Sequence, residues 1–203
     1  MKLINMKIAV LALVCSAAAA ASASAGQLRA ANVRNCTWCH GTSAQGYATA
    51  PRLAGQRPGY IEKQLVSFAN HTRDNPRSRE YMWNATEALN RRTAHDLATY
   101  FSTLPPRAAN DGHRELVAKG RTIYELGIPD ANIVSCLVCH APNAEGVRDI
   151  PRLAGLGYAY LNTRLRQWGE GYHAAAEYPM PKVARTLSVD EIEALASYLS
   201  FIK

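Results

Sequence analysis

Apolar residues recur at three- and four-residue intervals along most of this chain, and no stretch alternates apolar with polar as a half-buried strand would. Ile61, Leu65 and Phe68 mark one face of a helix that opens at Pro58, a good first helical residue, and runs to about Asn70. Leu161, Leu165 and Trp168 repeat that face further on. Near the C-terminus, Ser188 with Glu191 forms a capping box, Leu187 is placed to staple onto Ile192, and Ile192, Leu195, Ala196 and Leu199 make one stripe. An earlier helix mirrors it, with Asn90 as cap and Ala94, Leu97, Ala98 and Phe101 as the stripe. These stripes are core-forming faces. A further helix is expected over His113 to Leu126, and Pro105-Pro106-Arg107 reads as a linker.

The similarity between early and late helices extends to a full internal repeat. At an offset of 100, Cys36, Cys39, His40, Gly46, Pro51, Arg52, Leu53, Ala54, Gly55 and Tyr60 meet Cys136, Cys139, His140, Gly146, Pro151, Arg152, Leu153, Ala154, Gly155 and Tyr160. The register then slips to 98, so that Met82, Leu89, Leu97, Ala98 and Tyr100 meet Met180, Leu187, Leu195, Ala196 and Tyr198. The extra residues fall in the loop after Phe68.

The N-terminus has the pattern of a secretory leader. Lys2 and Lys7 supply a positive start, Ile8 to Ala20 an apolar run, and Ala21 to Gly26 a series of small residues with cleavage expected after Ala25. Met6-Lys7 would also begin a complete leader. The apolar run is shorter than the ~20 residues a spanning helix requires. Expected boundaries are therefore a signal peptide over 1–25, a first domain over 26–106 and a second over 107–203. Cys15 leaves with the leader. About ten residues then precede Cys36, too few to repeat the helix expected before Cys136.

The four remaining cysteines all lie in Cys36-Thr37-Trp38-Cys39-His40 and Cys136-Leu137-Val138-Cys139-His140. Cys-x-x-Cys-His is the attachment motif of c-type haem. Two cysteines one helical turn apart add to the two vinyl groups of one porphyrin, and the adjoining histidine is held beneath the iron. In an exported chain four cysteines would ordinarily suggest disulfides; this pattern favours thioethers, and no disulfide is expected. A zinc site would leave the methionine pattern unexplained. Outside the leader the only methionines are Met82 and Met180, one per half and at the same point of the repeat. They are the candidate sixth ligands, which would close both irons and raise their potentials. His71 and His173, in the preceding loops, are rivals for that position; His95 and His113 read as surface residues. The carbonyls of Pro51 and Pro151 are placed to accept the proximal imidazole N–H. Arg52 and Arg152 suit haem propionates, with plain solvation as the alternative.

These motifs, with Pro-Arg-Leu-Ala-Gly in each half and Tyr60-Ile61-Glu62-Lys63-Gln64-Leu65, resemble the dihaem cytochrome c4 family of class I c-type cytochromes over nearly the whole expected mature chain. The resemblance implies an all-α protein of two tandem class I cytochrome c domains related by a pseudo-two-fold axis, with haem propionates facing across the interface. It implies two covalent haem c groups on Cys36, Cys39, Cys136 and Cys139, with His40, Met82, His140 and Met180 as iron ligands. It also implies periplasmic electron transfer towards a terminal oxidase. The chain departs from the family in its short segment before Cys36, and in Ala141, where glycine commonly follows the motif as Gly41 does in the first half.

The formal charge is +7 and unevenly spread. Gly26 to Pro106 carries ten Lys and Arg against five Asp and Glu, and Arg107 to Lys203 eleven against eleven. A basic first half can steer encounter with an acidic redox partner. Nucleic acid is not an expected partner for an exported haem protein. The leading reading is a soluble carrier with no bond chemistry of its own. The alternative is the electron-accepting cytochrome subunit of a dehydrogenase, such as a flavocytochrome oxidising sulfide. An enzyme in its own right, a dihaem peroxidase or thiosulfate dehydrogenase, would need an open or unusually ligated haem.

Overall fold

A computed structural model describes residues 30, 32–47, 50–172 and 179–203. The expected leader and His173 lie outside these residues. Every element among them is helical, apart from isolated bridges at Tyr47–Ala50 and Ile128–Ile133. In chain order, α1 covers 32–40 and α2 Pro58–Ala69. A π-helical turn, Ser78–Met82, runs into α3, Trp83–Thr86, and α4 is Arg91–Thr103. The second half has a 3₁₀ turn at Arg114–Leu116 running into α5, Val117–Leu126, then α6, Leu137–His140, and α7, Tyr158–Gly169. It closes with α8, Met180–Thr186, and α9, Val189–Phe201.

Local signals account for most of these boundaries. Pro58 opens α2, Asn90 accepts the Thr93 N–H at 2.9 Å, and Ser188 and Glu191 form the reciprocal capping box. Ala94, Leu97, Ala98 and Phe101 of α4 are buried against Ile61 of α2. Ile192, Leu195 and Leu199 of α9 form a larger cluster with Leu161 and Leu165 of α7 and Ile123 and Tyr124 of α5. Burying side chains of this size stabilises by ~1.5–3 kcal/mol each. The most extensive helix pairing is α5 on α9. It is close enough that a Cβ on Gly120 would stand 2.0 Å from the Ala194 carbonyl oxygen. The first half has no counterpart of α5 among its described residues.

Each half fastens its Pro-Arg-Leu-Ala-Gly loop identically. Leu53 and Ala54 donate to the Ala44 carbonyl at 2.9 and 3.0 Å, and Gly55 to Phe101 at 3.0 Å. Leu153 and Ala154 donate to Ala144 at 2.7 and 3.0 Å, and Gly155 to Leu199 at 2.7 Å. Gly46 and Gly146 begin these loops at φ +88° and +70°, and a Cβ there would strike backbone at 2.8 and 2.4 Å. The repeated motif thus pins the loop to the closing helix and to the turn after the histidine.

The linker is tied to the first half. Gln45 donates to the Pro105 carbonyl at 2.9 Å and accepts from the Arg107 N–H at 3.0 Å. Across the junction, the Gln56 side-chain amide pairs with both backbone groups of Arg152, at 2.9 and 2.7 Å. Leu156 stands at that position of the repeat in the second half and is buried in its own cluster. The junction is therefore asymmetric despite the duplicated sequence.

Candidate functional site

His40 ends α1 and His140 ends α6, and both are buried. Their Nδ1 atoms lie 2.7 Å from the Pro51 carbonyl and 3.0 Å from the Pro151 carbonyl. A carbonyl only accepts, so each Nδ1 carries the proton and each Nε2 is left with a free lone pair. Burial lowers the pKa of both imidazoles, against the opposing pull of the carbonyls. Each ring is thus neutral and fixed in the tautomer that a proximal ligand needs. This is the arrangement expected from the sequence, present in both halves.

Each cysteine pair sits on one helical turn. Cys36 and Cys136 are half-buried and Cys39 and Cys139 are exposed. Among the described residues no three His, Cys, Asp or Glu side chains gather as a metal cluster, which leaves the zinc reading without a site.

Met82 and Met180 are both half-buried, but their settings differ. Met82 is the last residue of the π-helical turn, a rare geometry often found at functional positions. Met180 opens α8 behind Pro179 and packs against the second cluster. His71, the other described candidate, has φ +58°, is exposed, and stacks on the Trp83 ring at 4.0 Å. His95 is an exposed surface residue paired with Glu62 at 3.0 Å, and His113 is also exposed.

Arg52 differs from both sequence expectations. It is buried, and its guanidinium donates to the Ala54, Ala154, Gly155 and Arg107 carbonyls. It is a staple between the halves, neither solvated nor turned to a carboxylate. The repeat concealed this because its acceptors are backbone carbonyls brought together only by docking. Arg152 does not reciprocate: its Nε is buried with no hydrogen-bond partner among the described residues, and the same holds for the indole Nε1 of Trp168. The Arg152 Nε and Trp168 Nε1 donors are suited to acceptors from outside the chain, and haem propionates would supply such acceptors. Half-buried Cys36, Leu53, Leu65 and Leu89 lie against the small first cluster, where a porphyrin would cover them. The residues present therefore fit one haem per half.

Sequence reasoning passed over a further group at the junction. Arg73 and Arg164 are both buried, and Gln64 and Tyr160 lie with Arg73. Tyr60 and Tyr160 were visible as a repeat pair, but Arg73 sits in the loop where the register slips, so nothing in the repeat pointed to it.

Comparison with known proteins agrees with this construction. The cytochrome c family model matches residues 117–203. Cytochrome c-552 of Acidithiobacillus ferridurans is 32% identical over 169 residues, covering 82% of this chain and 73% of that protein. The thiosulfate dehydrogenase electron acceptor of Stutzerimonas stutzeri is 34% identical, covering 81% and 77%. Cytochrome c4 of Thiocapsa roseopersicina is 32% identical, covering 86% and 90%. The solved cytochrome c4 of Acidithiobacillus ferrooxidans superposes with a TM-score of 0.76 at 31% identity, covering 82% of this chain and 98% of that one. The chain belongs to the dihaem cytochrome c4 family, electron-transfer proteins of two tandem class I domains, each with one covalently bound haem c.

Proposed function

We propose that this chain is a periplasmic carrier that moves single electrons from a donor protein to an acceptor, a terminal oxidase, and catalyses no bond chemistry of its own. The matched pair of buried histidines, each donating from Nδ1 to a proline carbonyl, carries the reading. In this reading residues 1–25 are removed on export, and domains 26–106 and 107–203 each hold one haem. Cys36 and Cys39, and Cys136 and Cys139, form the thioethers. His40 and Met82 ligate one iron, and His140 and Met180 the other. Each iron supplies one-electron ferric/ferrous chemistry.

The protein's own contribution is to hold those irons ready. The Pro51 and Pro151 carbonyls orient the imidazoles and raise their basicity. The Met82 and Met180 thioethers would favour ferrous iron, and with His40 and His140 they would hold the metals closed to substrates. No described helix is long and apolar enough to cross a membrane. Stopped-flow mixing of the reduced holoprotein with membranes containing a terminal oxidase tests the proposal. Rapid oxidation that slows as salt rises is the expected result, since the basic first half would steer an acidic partner. No oxidation at any ionic strength would reject the oxidase as acceptor.

A second reading is favoured by the relatives described as thiosulfate dehydrogenase electron acceptors, in Stutzerimonas stutzeri and Thiomonas intermedia. Here the chain would take electrons from a sulfur-oxidising dehydrogenase as its cytochrome partner or subunit. A stable, stoichiometric dehydrogenase co-eluting on native size-exclusion chromatography would support it over the free carrier.

A further inference from the structure

The repeat that duplicates the cysteine motifs does not duplicate the surface around them. At an offset of 100, Arg34 and Trp38 meet Val134 and Val138. All four are exposed, Trp38 by 90% and Val134 and Val138 by 68% and 71%. Arg34 and Trp38 stand at i and i+4 of α1, so their side chains share one face of that helix. Trp38 lies between Cys36 and Cys39, which places the face beside the atoms that would take the porphyrin's vinyl groups. A third exposed position differs in the same way. Tyr47 is 78% exposed where Val147 is 42% exposed. Their loops are fastened to the motifs by the Gly46 and Gly146 N–H groups, which bond the His40 and His140 carbonyls at 2.8 and 2.9 Å.

Charge separates the two places in the same sense. From Gly26 to Ile61 the sequence holds Arg29, Arg34, Arg52 and Arg57 and no Asp or Glu. The matching stretch, Leu126 to Leu161, holds Asp130, Glu145 and Asp149 against Arg148 and Arg152. Arg52 is buried at the junction, but Arg34 is exposed and takes part in none of the ion pairs among the described residues. An indole left almost wholly in water gains from any contact that covers it. Tryptophan, tyrosine and arginine are also the side chains that carry most binding energy at protein interfaces. An exposed arginine in a stretch without acids disfavours a basic partner and favours an acidic one.

We infer that the Arg34–Trp38 face of α1 is the docking site for an acidic redox protein, which exchanges electrons with the first haem, and that the Val134–Val138 place in the second half does not serve that partner. The inference rests on the carrier reading above and adds to it the half and the side chains at which the acidic partner sits. One partner is thereby directed to one haem of a duplicated pair.

Stopped-flow reduction of the ferric holoprotein by a reduced plant-type [2Fe–2S] ferredoxin, an acidic one-electron donor, tests this. The ferredoxin cluster loses one electron and a ferric haem gains it. The double variant Arg34→Val, Trp38→Val gives the first half the residues that the second half already carries beside its own motif. Its second-order rate at low salt is expected to fall about tenfold or more, with loss of most of the salt dependence of the unaltered protein. The double variant Val134→Ala, Val138→Ala should keep its rate to within about twofold. With oxidised ferredoxin added, NMR signals should shift over 33–39 and not over 134–139. An unchanged rate in the Arg34→Val, Trp38→Val protein, an equal loss in the Val134→Ala, Val138→Ala protein, or shifts confined to the second half would overturn the inference. Hydroquinone, a small uncharged reductant, should reduce every variant at the same rate; a matching slowing with hydroquinone would place the loss in the haem rather than in docking, and would also overturn it. An unaltered holoprotein that hydroquinone cannot reduce would instead reject the carrier reading itself.

Discussion

Ala141 occupies a backbone conformation that glycine adopts far more cheaply. It sits at φ +66° and ψ 161°, directly after the second motif, and Gly41 takes the matching place at φ +84°. The conformation is held because the Tyr124 hydroxyl donates to the Ala141 carbonyl at 2.6 Å from a fully buried ring. Strain of this kind costs ~1–3 kcal/mol. Ala141→Gly should therefore stabilise the second half by about 1 kcal/mol net of glycine's greater freedom when unfolded, read as a higher thermal midpoint. At this scale the sequence was legible where chemistry is local. The motif located His40 and His140, and the spacing located the Pro51 and Pro151 carbonyls that orient them. It was illegible for Arg52, whose bonds to Ala154 and Gly155 span more than half the chain, and for Arg73, whose loop has no repeat partner.

The helices were legible because their signals are written within a few residues. Caps at Asn90 and Ser188, Pro58 at the start of α2 and the apolar stripes of α4 and α9 each specify an end or a face. The π-helical turn at Ser78–Met82 carried no such signal, since it depends on how the loop after α2 returns to the domain. Nor did any sequence pattern give the depth of the α5–α9 contact. That depth makes a sharp prediction at Gly120. Alanine is the better helix former by roughly 1 kcal/mol, but its methyl group would meet the rigid Ala194 carbonyl. Gly120→Ala should therefore destabilise the second half by ~1–3 kcal/mol, the usual cost of overpacking, and lower its thermal midpoint. The same change at Gly59 of α2 meets backbone only at 3.4 Å and should be close to neutral.

At the scale of the molecule, a duplicated sequence has produced an unsymmetrical joint. Arg52, Gln56 and Arg73 reach from the first half into the second, while Arg152 keeps a buried donor that a propionate would satisfy. Duplication was readable from the repeat; the asymmetry arises from single positions where the copies have diverged. Arg52→Met should cost at least ~2 kcal/mol through buried carbonyls left without a donor, and calorimetry should resolve two unfolding transitions in place of one. The small first cluster also implies that haem completes each interior. The account as a whole depends on both irons being closed by their methionines, and carbon monoxide added to the reduced holoprotein tests that most directly. An unchanged visible spectrum is the predicted result, with carbon monoxide binding appearing only in Met82→Ala or Met180→Ala. Binding at either haem of the unaltered protein would contradict the closed-iron carrier and point to chemistry at an open metal.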